Sequence, residues 1–392
     1  MRRVSVAERR ARLTLRHRLA PDEQGRDVVE AARSLVGFHA SDPASVFLQA
    51  RARVPHAGVA AVESALYAER ALVRMTAMRR TLFVVPAELV PVLQAACANR
   101  IAAQERRRLE RLIEGARIAR DGAKWLAAVE RDTLAAIEDR GEATGAVLSD
   151  AVPALRERMR FGEGKRWETT TAVTGRLLVV LAAEGRIVRG RPRGTWVSGQ
   201  YRWTTAAAWL GGETQALPPE HAEAELARRW LRAFGPSPAS DLKWWTGWTV
   251  AQVRRAVAAI GAVEVSLGGS ATGLALAGDL EPVAAPAPGP ALLPSLDATV
   301  MGWAERSWFL GDHSPLVFNA NGNAGPTVWW DGRVVGAWGQ RRDGEIAFRL
   351  LEDIGAEAEA AISAEAERLR AWLGETRFTP RFRTPLEREL VA

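Results

Sequence analysis

The chain has 392 residues, of which 47% are hydrophobic, so it is too long for one ordinary core and is expected to fold as two to four domains. Its 53 Lys and Arg residues exceed its 46 Asp and Glu residues by seven, an excess that favours an anionic partner such as nucleic acid. The single cysteine excludes an internal disulfide and a thiolate metal cluster, and without an apolar run of about 20 residues we expect a soluble, cytoplasmic protein.

The first 120 residues hold 22 arginines against 12 acidic residues and predict a first winged-helix-like unit with basic helices. Residues 5–20 form a basic amphipathic pattern, and a second helix is expected over residues 28–38. A third helix is expected to start at Asp42-Pro43, because Asp is a favoured N-cap and Pro is favoured at the first helical position. A helix over 59–67, a strand-like run ending at Pro86 and a long helix over 87–118 complete the unit.

Residues 121–212 predict a second winged helix. Apolar residues at helical spacing indicate a helix over 169–183. A strand from Arg186, a turn over 190–194 and a return strand from Thr195 then form an arginine-tipped hairpin. We expect this unit to contact DNA, mostly through guanidinium groups on phosphates, and the predicted DNA-binding residues are Arg176, Arg186, Arg189, Arg191, Arg193, Trp196 and Arg202. An ordinary surface hairpin is the alternative interpretation of the same residues.

Residues 213–283 repeat the order helix, short helix, helix and hairpin, and they predict a third winged helix. A Pro-rich linker over 281–290 follows. Residues 291–392 change character: short strands are expected over 300–303, 316–318, 327–330, 334–338 and 346–350. Asn-Gly and Asp-Gly turns between them predict a β meander closed as a small barrel, followed by a helix over 356–373.

Several stretches resemble the winged-helix family that includes bacterial alkylpurine DNA glycosylases of the AlkZ and YcaQ type. They are LVGFHASDPASVFLQARARV, MRRTLFVVP, GRLLVVLAAEGRIVRGRPRGTW, WLRAFGPSPASDLKWWTG, LLPSLDATVMGWAERS and VWWDGRVVGAW. The resemblance implies an α+β fold of three tandem winged-helix units and a small C-terminal β-barrel, arranged as a C around duplex DNA. Glycosylases of this family carry Gln-x-Gln or Gln-x-Asp in the loop that here is His39-Ala40-Ser41, and their MRGTLH stretch is here Met78 to Phe83.

The candidate catalytic residues are His39, Ser41 and Asp42. An alkylated purine that carries positive charge is a good leaving group, so the protein needs mainly to stabilise an oxocarbenium-like sugar and to position a water. A neutral His39 can accept a proton from that water, Ser41 can orient it, and Asp42 can stabilise positive charge. The alternative is that Ser41 or Asp42 only caps the next helix and that His39 only satisfies backbone groups.

The expected partner is double-stranded DNA, bound by a monomer without cofactor or metal. Asp312-His313 has no companion ligand at a metal-binding spacing, and no phosphate-binding or dinucleotide-binding fingerprint is present. The favoured function is duplex DNA binding, coupled to excision of alkylated purines by hydrolysis of the N-glycosidic bond. The alternative is a non-catalytic DNA-binding protein, either a regulator or a damage binder. A weaker alternative is a protein that binds a small ligand. The net positive charge argues against it, but a preference for arginine over lysine is also typical of GC-rich genomes, so the charge is weaker evidence for a nucleic-acid partner.

Overall fold

The computed structural model describes residues 1–162, 164, 168–212 and 215–392. The predicted boundary between the second and third units at residue 213 therefore lies just outside the described residues. Within them the protein is a mixed fold of helices and short antiparallel sheets.

The first unit, taken together with the N-terminal helix that precedes it, contains four α-helices and three strands up to Pro86. Its elements are α1 (Val6–Arg16), α2 (Val28–Ser34), β1 (Phe38–His39), α3 (Pro43–Arg53), α4 (Val59–Glu63), β2 (Leu72–Thr76) and β3 (Leu82–Pro86). The sheet order is β1-β3-β2, so the two-residue strand β1 pairs with the second strand of the hairpin. As predicted, Asp42 caps α3 and Pro43 occupies its first turn.

The long helix expected over 87–118 is interrupted. A 3₁₀ turn (Ala87–Leu89) leads into the short α5 (Val90–Leu93), and a π-helical segment (Gln94–Ala98) then precedes α6 (Asn99–Gly115). Pro91 lies in the first turn of α5, where its missing N–H costs no hydrogen bond. Pro91 therefore marks the start of α5, within the residues that the sequence pattern predicts as a single helix.

The second unit has the same order of elements with an inserted hairpin. Its elements are α7 (Gly122–Glu138), β4 (Ala143–Thr144), α8 (Gly145–Ala151), β5 (Arg158–Phe161), β6 (Thr169–Ala172), α9 (Val173–Ala183), β7 (Ile187–Pro192), β8 (Tyr201–Thr205) and α10 (Ala206–Leu210). The helix predicted from residue 169 starts at Val173, because Thr169 to Ala172 pair with β5. A run of β-branched threonines favours a strand. The return strand of the arginine hairpin starts at Tyr201 rather than Thr195, so the connecting loop is longer than predicted.

The third unit follows the same order again. It comprises α11 (Pro219–Phe234), α12 (Ala239–Thr246), α13 (Val250–Ala259), β9 (Val263–Ser266) and β10 (Thr272–Ala275). Ser237 forms an antiparallel bridge with Leu274, in the place that β1 and β4 take in the first two units. In all three units a short strand between the first two helices pairs with the second strand of the terminal hairpin.

The C-terminal region is an open sheet rather than the predicted barrel. Its elements are β11 (Pro290–Leu293), α14 (Ser307–Leu310), α15 (Ser314–Val317), β12 (Thr327–Trp330), β13 (Arg333–Gln340), β14 (Ile346–Leu350), α16 (Ala356–Leu373) and α17 (Pro385–Leu390). The sheet order is β11-β12-β13-β14, and in the described chain β11 and β14 do not pair with each other. Two of the predicted strands are wrong: residues 300–303 are turn and coil, and residues 314–317 are α15. Four short strands are too few to close, and α16 packs against both edge strands instead.

Among the described residues, the buried apolar side chains form two large cores and one small core of Val4, Val265, Leu267 and Ala275. One of the large cores combines α6 with the second unit, from Leu109 to Trp203. The other is continuous through the first unit, the third unit and the C-terminal region. At its centre Arg53 of α3 forms two hydrogen bonds with Asp297, at 2.9 and 2.8 Å, and both side chains are fully buried. Such a pair fixes the C-terminal region against α3, because removing either partner leaves a buried charge unpaired.

The N-terminal helix α1 contacts distant parts of the chain rather than completing the first unit. Its Arg12 binds Asp279 at 2.8 Å, and Arg16 donates to the carbonyl oxygen of Gly235 at 2.6 Å. His17, at the end of the helix, contacts the Thr299 hydroxyl at 2.9 Å and the Ala233 carbonyl oxygen at 3.1 Å. Helix α1 therefore packs on the third unit and the C-terminal region.

Candidate functional site

The loop His39-Ala40-Ser41 lies where β1 ends and α3 begins. The backbone N–H of Ala40 donates to the carbonyl oxygen of Leu82 at 2.7 Å, and Arg74 donates to the carbonyl oxygen of Ala40 at 3.3 Å. Both partners belong to the β2–β3 hairpin, so the loop is fixed to the sheet of its own unit. The strand ends and α3 therefore place the side chains of His39 and Ser41 at fixed positions.

The His39 side chain is only 3% exposed. Its ring lies 5.1 Å from the Phe83 ring, and the backbone N–H of Ser41 points at Nδ1 over 3.5 Å. Burial, with a further contribution from the charge of Arg79, lowers the pKa of His39 to about 3. His39 is therefore neutral at physiological pH, which is the state that its predicted role requires.

Asp42 acts as the helix cap that the sequence predicted. One carboxylate oxygen accepts from the backbone N–H of Ala44 at 3.2 Å, and the other accepts from the backbone N–H of Arg381 at 2.8 Å. The side chain is 4% exposed, and burial raises its pKa despite these hydrogen bonds. Ser41 is the more accessible neighbour, since its side chain is half-buried.

Two of the residues predicted to contact DNA are buried. Trp196 is 7% exposed, and its ring lies 4.9 Å from Phe47 and 5.8 Å from Trp372. Arg189 is 9% exposed, with its guanidinium carbon 4.5 Å from the centre of the Trp203 ring, and burial lowers its pKa to about 10. In this conformation Trp196 is a packing residue between α3 and α16, and Arg189 would have to move to reach a phosphate.

Three other predicted residues form ion pairs at the surface of the second unit. Arg191 binds Glu63 of the first unit at 2.7 Å, Arg186 binds Glu130 at 3.1 Å, and Arg202 binds Glu142 at 2.5 Å. All three arginine side chains are more than 40% exposed. The exposed pairs of Arg191 and Arg202 are weak, so these two arginines can exchange a carboxylate for a phosphate. The partner of Arg186, Glu130, is buried and also binds Arg106.

Arg193 differs from these three: it is exposed in the loop of the hairpin and forms no ion pair with another described residue. Arg176 lies on α9, and its pKa is lowered by burial and by the charges of Arg108 and Arg80. Arginines from α9, from α6 and from the β2–β3 turn therefore lie close together, which the sequence alone did not indicate.

The sequence reasoning also missed Arg79, Arg80 and Gln49. Arg79 and Arg80 form the turn between β2 and β3, and both have left-handed backbone conformations, with φ of 51° and 66°. Arg79 extends to Trp244 of the third unit, while Arg80 pairs with Glu105 of α6 at 2.7 Å. The sequence contains the two adjacent arginines of MRRTLFVVP, but it does not predict that they form a turn with left-handed backbone conformations.

Within the described residues, no group of three or more His, Cys, Asp or Glu side chains is placed to hold a metal ion. None of the described helices combines the length and the apolar composition that crossing a bilayer requires.

Comparison with known proteins relates this geometry to a family. The chain resembles the solved structure of Streptomyces sahachiroi DNA glycosylase AlkZ with a TM-score of 0.74 at 20% sequence identity, over 95% of this chain and 98% of that one. At that identity the likeness shows a shared fold. No curated protein sequence matches the chain. The family model described as "DNA glycosylase AlkZ-like" matches residues 32–372, and the chain therefore belongs to the AlkZ-like DNA glycosylase family.

Proposed function

We propose that this protein binds duplex DNA through three winged helices arranged as a C, and that it hydrolyses the N-glycosidic bond of alkylated purines. The observation that carries the proposal is the position of His39-Ala40-Ser41 at the β1–α3 junction of a chain that belongs to this family. The threefold recurrence of helix, short strand, two helices and hairpin supports the winged-helix interpretation.

The DNA surface in this proposal runs along the arginines near the loop. Arg79 lies close enough to His39 to lower its pKa, and Arg80 and Arg108 do the same for Arg176. Arg191, Arg193 and Arg202 extend the basic surface onto the hairpin of the second unit. Guanidinium groups suit this role because they bind phosphate oxygens in a fork without requiring a particular base.

The chemistry requires little proton transfer. Departure of a cationic base leaves an oxocarbenium-like sugar, whose positive charge the carboxylate of Asp42 would stabilise. A neutral His39 is too weak a base to remove a proton from free water, because its pKa is about 3. Because Nδ1 faces the Ser41 N–H, the proton lies on Nε2, which can donate a hydrogen bond to the oxygen of the attacking water while Ser41 orients that water. As the bond to the cationic sugar forms, the attacking water becomes strongly acidic and releases its second proton to solvent, while the purine leaves with the electron pair of the broken glycosidic bond.

The second candidate is a DNA-binding protein without catalysis. Two observations favour it: the His39 side chain is 3% exposed, and backbone N–H groups already occupy both oxygens of Asp42. A regulator should prefer one sequence, whereas a glycosylase should prefer a lesion whatever the surrounding sequence.

The deciding experiment measures base release from a duplex that contains one N7-methylguanine, under single-turnover conditions. We expect release by the wild type and its loss in His39→Ala. His56→Ala is the matched control, since His56 is exposed on the surface. Tight, salt-sensitive binding with no release by the wild type would reject the glycosylase and favour the second candidate.

A further inference from the structure

A pair of arginines from distant parts of the chain meets at one tryptophan. The guanidinium carbon of Arg79 lies 3.7 Å from the centre of the Trp244 ring. That of Arg306, which directly precedes α14, lies 4.9 Å from the same ring and 4.8 Å from the Phe318 ring. Trp244 belongs to α12, so this cluster joins the first unit, the third unit and the C-terminal region. Arg79, Arg306 and Trp244 are each half-buried, which leaves the cluster open on one side.

The two guanidinium groups have too few acceptors. The Nε atoms of both arginines and Nη2 of Arg306 are buried and have no hydrogen-bond partner in the described part of the chain. Neither arginine forms an ion pair with another of those residues. Burial lowers the pKa of each to about 10, and the charge of Arg79 lowers that of Arg306 further.

The carboxylates nearest to Arg306 are already engaged. Asp241 accepts from the backbone N–H groups of Ala304 and Glu305, both at 3.0 Å, and from the Ser237 hydroxyl at 2.9 Å. Glu305 accepts from the backbone and the hydroxyl of Ser307. These carboxylates moderate the positive charge without giving either arginine a direct acceptor.

An unpaired cation in a partly desolvated position destabilises a protein. Arg79 adds to this cost, because its backbone lies in the left-handed region (φ 51°, ψ 31°), which only glycine adopts without strain. Stored strain and missing acceptors at one place are typical of a binding site whose ligand supplies what the folded chain lacks. A ligand with several oxygens and negative charge fits two guanidinium forks on an aromatic ring.

The cluster also lies beside the His39 loop. Arg79 is three residues before Leu82, whose carbonyl oxygen binds the backbone N–H of Ala40. The Phe83 ring contacts the His39 ring on one side and lies 6.2 Å from Trp245, the neighbour of Trp244, on the other. An anion bound at the cluster would therefore lie adjacent to whatever occupies the loop.

We propose that Arg79 and Arg306 form a clamp beside Trp244 that binds one phosphate of the DNA backbone, next to the nucleotide presented to His39. The clamp rests on the proposed function, and it adds a positioning site: its arginines hold the strand while the His39 loop acts on the sugar. Neither the spacing of these residues in the sequence nor a short motif connects Arg79 with Arg306.

The first test measures thermal unfolding in inorganic phosphate and in chloride at matched ionic strength, for the wild type, Arg79→Met and Arg306→Met. Methionine keeps an unbranched apolar stem and removes the charge. In chloride we expect each variant to melt at the wild-type temperature or above it, because an unpaired buried cation has been removed. Phosphate should stabilise the wild type more than chloride does, and this difference should vanish in both variants. Arg26→Met, at an exposed position outside the proposed DNA surface, should keep the wild-type response.

A lower melting temperature of both variants in chloride, with the phosphate effect retained, would show that the arginines are structural and would overturn the clamp. Arg306→Lys separates charge from geometry: a partial phosphate response is expected, since an ammonium group supplies charge but no fork.

The second test uses binding and does not require base release, so it remains informative if the glycosylase proposal fails. A duplex with a single tetrahydrofuran abasic site is prepared with one neutral methylphosphonate at each of the flanking phosphates in turn. At one position we expect the methylphosphonate to reduce the affinity of the wild type about tenfold and to leave the affinity of Arg306→Met unchanged. On unmodified DNA the slope of log K against log salt should be smaller by about 0.9 for Arg306→Met than for the wild type. Arg193→Met should show additive losses at that position. Additive losses for Arg306→Met at every position would overturn the clamp, whether or not the protein releases bases.

Discussion

The side-chain amide of Gln49 binds the backbone of His39 on both sides. Its Nε2 donates to the His39 carbonyl oxygen at 2.8 Å, and its Oε1 accepts from the His39 N–H at 3.2 Å. The same Oε1 accepts from the backbone N–H of Ala298 at 3.0 Å. Gln49 is fully buried on α3, so one side chain fixes the candidate catalytic loop to the C-terminal region.

Replacing Gln49 by Leu should therefore destabilise the protein and impair the loop. The substitution leaves the buried N–H and C=O of His39 and the N–H of Ala298 without partners, at about 1–3 kcal/mol each before relaxation. We expect a loss of about 3–5 kcal/mol in the free energy of unfolding, measured by urea denaturation.

Gln49→Glu is the matched control. A protonated carboxyl group offers one donor and one acceptor, as the amide does. The difference in unfolding free energy between Gln49→Glu and the wild type should therefore shrink as pH falls. A Gln49→Leu variant as stable as the wild type would show that the amide does not hold the loop.

Acid should destabilise the protein through its buried histidines. The pKa of His39 is lowered to about 3 and that of His17 is also lowered, in both cases mainly by burial. The unfolded chain therefore binds these protons first, and the stability contribution is complete above about pH 6.5 and is lost as pH falls toward 3.

His39→Gln should flatten the dependence of unfolding free energy on pH between about 6 and 4, by up to about 1.4 kcal/mol per pH unit. His56→Gln, at an exposed position, should leave the dependence unchanged. Equal slopes for wild type and His39→Gln would contradict the neutral, buried state of His39.

Trp196 should contribute to stability. It packs between Phe47 of α3 and Trp372 of α16, so Trp196→Ala creates a cavity at a junction of three parts of the chain. We expect a loss of about 3–5 kcal/mol in unfolding free energy, again by urea denaturation. Arg193→Ala, in the same loop but exposed, should change stability by less than about 0.5 kcal/mol.

Arg191 and Arg193 should contribute to DNA affinity without discriminating between DNA sequences. Replacing both by Ala should weaken binding to unrelated duplexes to a similar extent, and the slope of log K against log salt should fall by about one per lost phosphate contact. Fluorescence anisotropy at several salt concentrations measures this. Arg26→Ala serves as a control, because Arg26 is exposed before α2, far from the second unit in sequence. Unchanged binding in the double variant would remove the hairpin from the DNA surface.

Much of the local structure was predictable from residue patterns. The cap at Asp42 with Pro43, the helix that includes Leu177 and Leu181, and the meander after the Pro-rich linker follow from capping chemistry, apolar spacing and Asn-Gly or Asp-Gly turns. These features depend on neighbours within a few residues. The resemblance in several motifs also indicated the family, which the match over residues 32–372 confirmed.

Where interactions join distant residues, the sequence alone was not sufficient. Closure of a sheet depends on whether its edges can meet, and here α16 packs against both edge strands, so the predicted barrel is absent from the described chain. Arginine is the clearest case, because one residue type fills several roles. Arg53 is paired and fully buried, Arg189 lies against Trp203, and Arg193 is exposed.

Most of the helices and hairpins, the family and the charge of this protein follow from composition and short-range pattern. Which arginines remain available to a phosphate, and which residues surround His39, depends on contacts between distant parts of the chain. Burial and pairing set the state of an ionisable group, and both depend on residues as distant in sequence as Arg79 and Arg306.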